Sequence, residues 1–400
     1  MHIALSSTQK RVESIDILRG IAMIIMALDH VRDFFHIEAF IGDPLDLETT
    51  TPILYFTRWI THFCAPTFVF LSGTSIYLQS LRKSKSALSV FLIKRGFWLV
   101  FVEFAIISLA FSFNIQYNFI FLQVIWAIGI SMVILGLLIW LPYHFILIVG
   151  LLIVLGHNLL DFVEASPNFK PNFWWELFHS GYFSVYPYAP GHAIIILYPF
   201  VAWTGLMVLG YCAGVFYSPQ FSVEQRKKYL IRWGVGLIVL FVLLRYSNLY
   251  GNPSDWKVQK SYFYTLLSFL DVNKYPPSLL YMCMTIGPLL LLLAWVENIR
   301  SSFFKMSIVF GRTAFFYYIL HFYLIHALAT VSFYARGHSM QELAEKNIQL
   351  PFNFLMPGDG YNLWGVYLIW IFVLVVLYPF CAWYDRYKSN HRTQWWLSYL

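Results

Sequence analysis

Ten long apolar runs recur along this chain, and nothing else in it constrains the fold as strongly. Read by hydropathy, they fall at about 15–36, 56–79, 90–112, 119–141 and 143–160, then at about 192–217, 231–250, 278–297, 306–334 and 363–385. A helical run of ~20 apolar residues matches the hydrocarbon thickness of a bilayer. At that depth the backbone must satisfy its own hydrogen bonds, and helix does so within one segment. Alternating strand patterning is absent from these runs. The expected fold class is an all-α, polytopic integral membrane helical bundle of about ten transmembrane helices, a single domain over residues 1–400. Composition excludes the alternative of two or three soluble domains: 59% of residues are hydrophobic, 20% aromatic and only 12% charged. No internal repeat of fixed period is visible, which argues against an inverted-repeat transporter.

The formal charge of +7 is no nucleic-acid signature, because Lys and Arg sit in short loops between apolar runs. Their placement sets an orientation. One set of loops holds Lys10, Arg11, Arg82, Lys83, Lys85, Lys94, Arg95, Arg226, Lys227, Lys228, Arg232, Arg300, Lys305, Arg312, Arg386, Lys388 and Arg392. The other holds only Arg58, Lys170, Lys257, Lys260, Lys274, Arg336 and Lys346. Both termini fall with the richer set and are expected in the cytoplasm. The N-terminus carries no signal-peptide pattern, so the first run is expected to be retained. Cys64, Cys212, Cys283 and Cys381 are scattered through the runs without a C-x-x-C pair, so neither a disulfide framework nor a zinc knuckle is supported.

Ser14 to His36, SIDILRGIAMIIMALDHVRDFFH, is the most informative run. It is apolar enough to span, yet carries Asp16, Arg19, Asp29, His30, Arg32, Asp33 and His36. Ionisable groups at membrane depth are costly, so they face a polar interior and mark function. Arg19 and His30 are eleven residues apart, about three helical turns and ~16 Å of rise. They share a face, with Arg19 toward the cytoplasm and His30 near the outside. Asp29, Asp33 and His36 recur at i, i+4 and i+7 beside them. The plain alternative is a salt-bridged helix packed in a bundle.

Other polar positions extend this picture. His62 opens the second run near the level of His30 and His36. Three histidines with Asp29 and Asp33 suggest a metal, but their spacing is irregular and His with Asp suits proton transfer as well; no metal site is assigned. Ser72, Gly73, Thr74 and Ser75 are small enough for close helix packing. Arg82, Lys83, Lys85, Lys94 and Arg95 form a cytoplasmic basic cluster that serves as a topology signal or holds a phosphorylated ligand. Glu103 needs a partner, for which Arg19 and Arg245 are candidates. KYPPSLLY, Lys274 to Tyr281, enters a run from outside, and its prolines either expose Lys274 and Tyr275 or simply start a helix. GRTAFFYYILHFYLIH, Gly311 to His326, enters from inside and carries His321 to mid-membrane, where a bond to a neighbouring helix is expected. Trp174 and Trp175 in the long outer loop fit either sugar stacking or a membrane-surface belt. No G-x-G-x-x-G, P-loop, G-x-S-x-G or H-E-x-x-H pattern is present.

Arg19, ten residues and His30 resemble the R-x10-H motif of membrane acyltransferases that acetylate bacterial sugars. The wider text, RVESIDILRGIAMIIMALDHVRDFF followed by THFCAPTFVFLSGTSIYL, resembles the catalytic domain of the heparan-alpha-glucosaminide N-acetyltransferase family. It is closer still to the bacterial branch grouped with that enzyme. The likeness continues through VIWAIGISMVILGLLIWLP, YPFVAWTGLMVLGYCAG, KYPPSLLY and GRTAFFYYILHFYLIH. It implies a transferase that moves an acetyl group from cytosolic acetyl-CoA to a sugar or glycan outside the cell inner membrane. In the lysosomal enzyme Asn stands in the place of His30, and a His of the first luminal loop is assigned the catalytic role. Here the loop from Ile37 to Tyr55 contains no His. That assignment therefore does not carry over, and His30 becomes the leading catalytic candidate, with Asp29 or Asp33 orienting it and His62 and His36 as competitors. Arg19, Arg82, Lys83, Lys85, Lys94 and Arg95 would hold the cofactor. Expected partners are acetyl-CoA, the acceptor glycan, the bilayer and a second copy in a homodimer, with no nucleic acid. The rival reading is a proton-coupled transporter or flippase for a sugar or lipid-linked glycan.

Overall fold

The computed structural model describes residues 12–39, 41–297, 299, 304–345, 350–391 and 393–398. Lys10, Arg11, Arg300, Lys346 and Arg392, used above for orientation, lie outside these. The helices are α1 (Glu13–Phe35), α2 (Pro52–Trp59), α3 (Cys64–Ser80), α4 (Lys85–Val102), α5 (Ser108–Ser112), α6 (Val124–Leu138), α7 (Tyr143–Gly156), α8 (Leu159–Glu164) and α9 (Phe173–Trp175). They continue as α10 (Phe200–Ala213), α11 (Val223–Ser247), α12 (Tyr262–Leu270), α13 (Leu279–Val296), α14 (Lys305–Arg312), α15 (Ala314–Ala335), α16 (Met340–Glu345) and α17 (Leu363–Asn390).

Among the described residues, six helical stretches are long and apolar enough to cross a membrane: Tyr143–Glu164, Phe200–Tyr217, Val223–Ser247, Leu279–Val296, Ala314–Ala335 and Leu363–Asn390. The chain is an all-α membrane protein, but on this measure the count is six, not about ten. The shortfall has physical causes. α1 carries too many charges. The second run is broken by a 3-10 turn at Ile60–Phe63, and the third by a π-helical turn at Glu103–Ile107. α6 has only 15 residues.

The expected absence of strands also needs correction. The fourth and sixth runs each begin with a short strand, β1 (Phe119–Leu122) and β3 (His192–Ile196), and β2 (Ser184–Ala189) joins them in the order β1-β3-β2. β1 and β3 pair in parallel, β2 and β3 antiparallel. FIFL and HAIII are rich in aromatic and β-branched residues, which fit a pleated surface.

α10 and α13 are 67% and 78% buried over their apolar windows, whereas α11 and α17 are 22% and 28%. The first pair therefore lies inside the bundle. The second turns side chains such as Trp233, Leu243, Leu368 and Phe372 outward, as a lipid-facing surface requires. α1 is buried among α3, α13, α14, α15 and α17. Close approach explains part of this. A Cβ on Gly73 would lie 2.1 Å from the Met207 carbonyl oxygen, and one on Gly210 2.2 Å from that of Phe70, so only glycine lets α3 and α10 touch there.

Three expectations about single residues change. Glu103 has no basic partner of the kind expected. It is fully buried, and its carboxylate accepts the backbone N–H groups of Gln123 (3.3 Å) and Trp126 (3.0 Å). A helix N-terminus offers unpaired N–H donors and a positive dipole end, which suits a carboxylate. Arg245 instead donates to the carbonyls of Phe269, Ser254, Ser268 and Asp271 at 2.5–3.0 Å, tying the C-terminal end of α11 to the segment after it. His321 bonds within its own helix rather than to a neighbour: its Nδ1 donates to the Tyr318 carbonyl at 2.6 Å.

Candidate functional site

Two cavities open from opposite ends of α1. The cavity at the C-terminal end of α1, called outer after the orientation expected from the loop charges, is about 690 Å³ and is lined by Asp29, His30, Arg32, Asp33 and His36 from α1 and its C-cap. Arg58 of α2, Tyr182 and Phe183 of the long outer loop, and Lys274 and Tyr275 before α13 complete its polar and aromatic wall. The inner one, about 380 Å³, is lined by Arg19, Lys83, Arg95, Arg312 and Lys388 over an apolar floor. Phe68, Val124 and Tyr318 line both, so these side chains stand between the two cavities.

The helical spacing of α1 places Arg19 in one cavity and His30 in the other, as read from the sequence. Arg19 is 3.6 Å from Asp16 and donates to Ser75 at 2.9 Å. Arg312 approaches Asp16 and Asp385, each at 3.6 Å. α1 and α14 touch so tightly that a Cβ on Gly20 would sit 1.7 Å from the Ser307 carbonyl oxygen. Among the expected cofactor residues, Lys83 and Arg95 line the inner cavity with Arg19, whereas Arg82, Lys85 and Lys94 do not. Lys85 and Lys94 are exposed on other faces of α4. Arg312 and Lys388 are additions. Arg312 was visible at the head of a singled-out stretch; Lys388, 369 residues after Arg19, was marked only as one of the basic residues that set the orientation.

At the outer end, Asp29 is held by Arg58 (2.5 Å) and Arg32 (3.0 Å), and Arg32 also bonds Asp33 (2.6 Å). Asp29 is thus committed to arginines rather than to His30. The carboxylate facing His30 is Asp33, 3.9 Å from its Nδ1. That nitrogen is buried without a hydrogen-bond partner. The His30 ring packs on Phe322 at 4.3 Å and lies 5.3 Å from the ring of His321. His321 carries its proton on Nδ1, because that atom donates to a carbonyl, so its buried, unpartnered Nε2 is a bare lone pair.

The competitors sit differently. His36 caps α1 at the cavity rim, and its Nδ1 accepts the Glu38 N–H at 3.3 Å. His62 is buried against Tyr281 (5.5 Å between rings) and does not line the cavity. Lys274 is buried in the cavity wall rather than exposed. Its ammonium lies 5.0 Å above the Tyr275 ring, which stacks on Tyr182 at 5.0 Å. Burial pushes the Tyr275 hydroxyl up, but Lys274 and Arg58 together hold it below the ordinary tyrosine range. Trp174 is 73% exposed and neither it nor Trp175 lines the cavity; Tyr182 and Phe183 of the same loop do. Arg58 and His321 were missed as site residues. Each is an ionisable group inside an apolar run, the same signal that marked α1.

Residues 11–243, more than half of the chain, match the family described as heparan-alpha-glucosaminide N-acetyltransferase, catalytic. The chain belongs to this family. Among curated proteins, no relative matches it. Membership in the heparan-alpha-glucosaminide N-acetyltransferase catalytic family carries an acetyltransferase-type activity at a membrane. The matched segment contains Arg19, Asp29, His30, Asp33, Arg58, Lys83 and Arg95. Lys274, Arg312, Tyr318 and Lys388, which help line the two cavities, and His321, beside the His30 ring, lie beyond it.

Proposed function

We propose that this protein moves an acetyl group from cytosolic acetyl-CoA to a hydroxyl or amine of a sugar or glycan on the outer side of the cell inner membrane. The chain would act as one transmembrane domain with both termini cytoplasmic. The observation that carries this reading is that one buried helix joins a cavity whose charged lining is entirely cationic to a cavity holding His30. Arg19, Lys83, Arg95, Arg312 and Lys388 suit the phosphates of CoA, which arginine forks and lysine ammonium groups bind well. The acyl arm would reach past Phe68, Val124 and Tyr318 toward His30. Asp33, closing the 3.9 Å gap to Nδ1, would hold the proton there and stabilise the charged ring. Nε2 then takes the acceptor's proton, the division of labour of a carboxylate-oriented imidazole base. Catalytic hydrogen bonds are often long before substrates bind. Arg58 and Arg32 keep the Asp29 charge away from that exchange.

The test is an envelope assay. Inside-out vesicles given labelled acetyl-CoA should transfer label to a glycan enclosed in the lumen, and sealed right-side-out vesicles should not. Label transferred only in right-side-out vesicles overturns the orientation. Purified protein that binds no acetyl-CoA overturns the transferase and favours the transporter.

A further inference from the structure

On the outer side, away from both cavities, Asp161 and Glu164 fall at i and i+3 of α8 and so share one face, and His157 is the C-cap of α7 just before it. His179 reaches that face from the π-helical turn Glu176–Ser180. The donor atoms of Asp161, Glu164 and His179 all lie within 4.8 Å of one another. His179 is completely buried. Each of the three is gripped from behind. His179 Nε2 faces His157 Nδ1 at 3.3 Å, Glu164 Oε1 accepts Trp175 Nε1–H at 2.7 Å, and Asp161 Oδ2 accepts the Asn158 amide at 2.7 Å.

We propose that His179, Glu164 and Asp161 form a site for a divalent transition-metal ion of the zinc class. Ligands of such ions are held in this way, with an imidazole whose second nitrogen is bonded and carboxylates fixed by hydrogen bonds. One imidazole and two carboxylates, without a thiolate, are a ligand set for zinc or manganese rather than for a soft ion. His179 Nδ1 and Glu164 Oε1 are 2.7 Å apart, a gap that a proton fills by itself. A proton uses only two of the three groups, whereas Asp161 is also held at the same place, and a metal uses all three. Neutral imidazole would bind the metal through its Nδ1 lone pair, with the ring proton on Nε2 facing His157 Nδ1, and a fourth position is left for water. The consequence is mechanical. Tyr182 and Phe183, which follow His179 closely, line the outer cavity, so the ion would clamp the aromatic loop that forms this wall to the end of α8. The inference does not depend on the transferase reading.

The experiment uses untagged, full-length protein in detergent, stripped with chelator and titrated with zinc chloride. The unaltered protein should bind one zinc per chain and gain thermal stability. Substituting cobalt should produce visible d–d bands shifted by imidazole ligation. Glu164→Gln and Asp161→Asn should each weaken zinc binding about tenfold or more, while their metal-free melting temperatures stay within a few degrees of the parent. Binding well below one equivalent, absent cobalt bands, or affinity unchanged in both variants would overturn the site.

Discussion

The two cavities differ in how their charges are held. The inner one presents Arg19, Lys83, Arg95, Arg312 and Lys388, all of one sign. The outer one interleaves Asp29, Asp33, Glu38 and Asp43 with Arg32, Arg58 and Lys274 around His30. A one-signed lining makes a field that attracts a polyanion over distance and fades with salt. An interleaved lining cancels its long-range field and instead fixes each group by its neighbour. Asp29 is a buried carboxylate under two arginines; removing either partner leaves a charge in a low-dielectric setting. On the proposed function the inner region would collect a ligand, and the outer would position groups and control a proton.

The largest expected effect tests what the outer arrangement positions. His30→Ala should insert normally, keep its melting temperature within a few degrees and still bind acetyl-CoA, yet lose about 10²–10⁴ in transfer rate, or ~3–5 kcal/mol of transition-state stabilisation. His62→Ala should lose less, since its ring is outside the cavity. Transfer kept by His30→Ala but abolished in His36→Ala or His62→Ala reassigns the base. Next comes the claim that outer charges hold one another. Arg58→Met should cost about 3 kcal/mol of stability, the lower end for breaking a buried pair because Arg32 stays on Asp29, and adding Asp29→Asn should recover much of it. A melting temperature untouched by Arg58→Met breaks the contrast.

The inner cavity should answer differently. Arg95→Gln should leave stability nearly unchanged and raise the apparent KM for acetyl-CoA about tenfold, as loss of a ~1.5–3 kcal/mol bond to a charged group does. The salt dependence of KM should flatten, while Lys94→Ala, exposed elsewhere on α4, serves as the unaffected control. Equal effects from both would reduce the cluster to a topology signal.

The smallest effect lies beside the outer cavity. His338 bonds Glu342 at 2.9 Å and Asp359 at 2.6 Å, which raises its pKa above the ordinary histidine range. A raised folded pKa contributes stability that is fully present below ~6.5 and disappears as pH climbs through the folded value. Melting temperature should thus fall slightly as pH rises across that window, and His338→Gln should flatten the slope; a parallel slope in the variant removes His338 from the account.

Much of the candidate site was legible because charge at membrane depth is so expensive that it announces itself. The helical period alone put Arg19 and His30 at opposite ends of one face. What misled was proximity in sequence. Asp29 adjoins His30 in the chain, yet successive residues of a helix point ~100° apart, and Asp29 turns to Arg58 instead. Glu103 invited a basic partner, but the terminus of α6, created only when the third and fourth runs pack, satisfies it with backbone donors.

The apolar runs by themselves determined that this is a helical membrane protein, since a buried backbone without water has few ways to close its hydrogen bonds. The ionisable residues of α1 determined where chemistry would be sought. Only the tertiary structure decided which runs stay unbroken helices, that β1 and β3 pair residues 74 positions apart, and that Arg312, His321 and Lys388 join residues near the N-terminus. Hydropathy and helical period are properties of a segment and survive in the sequence. The partner of a charge depends on which segments pack side by side, and that is settled by shape, as where Gly20 admits α14 and Gly73 admits α10.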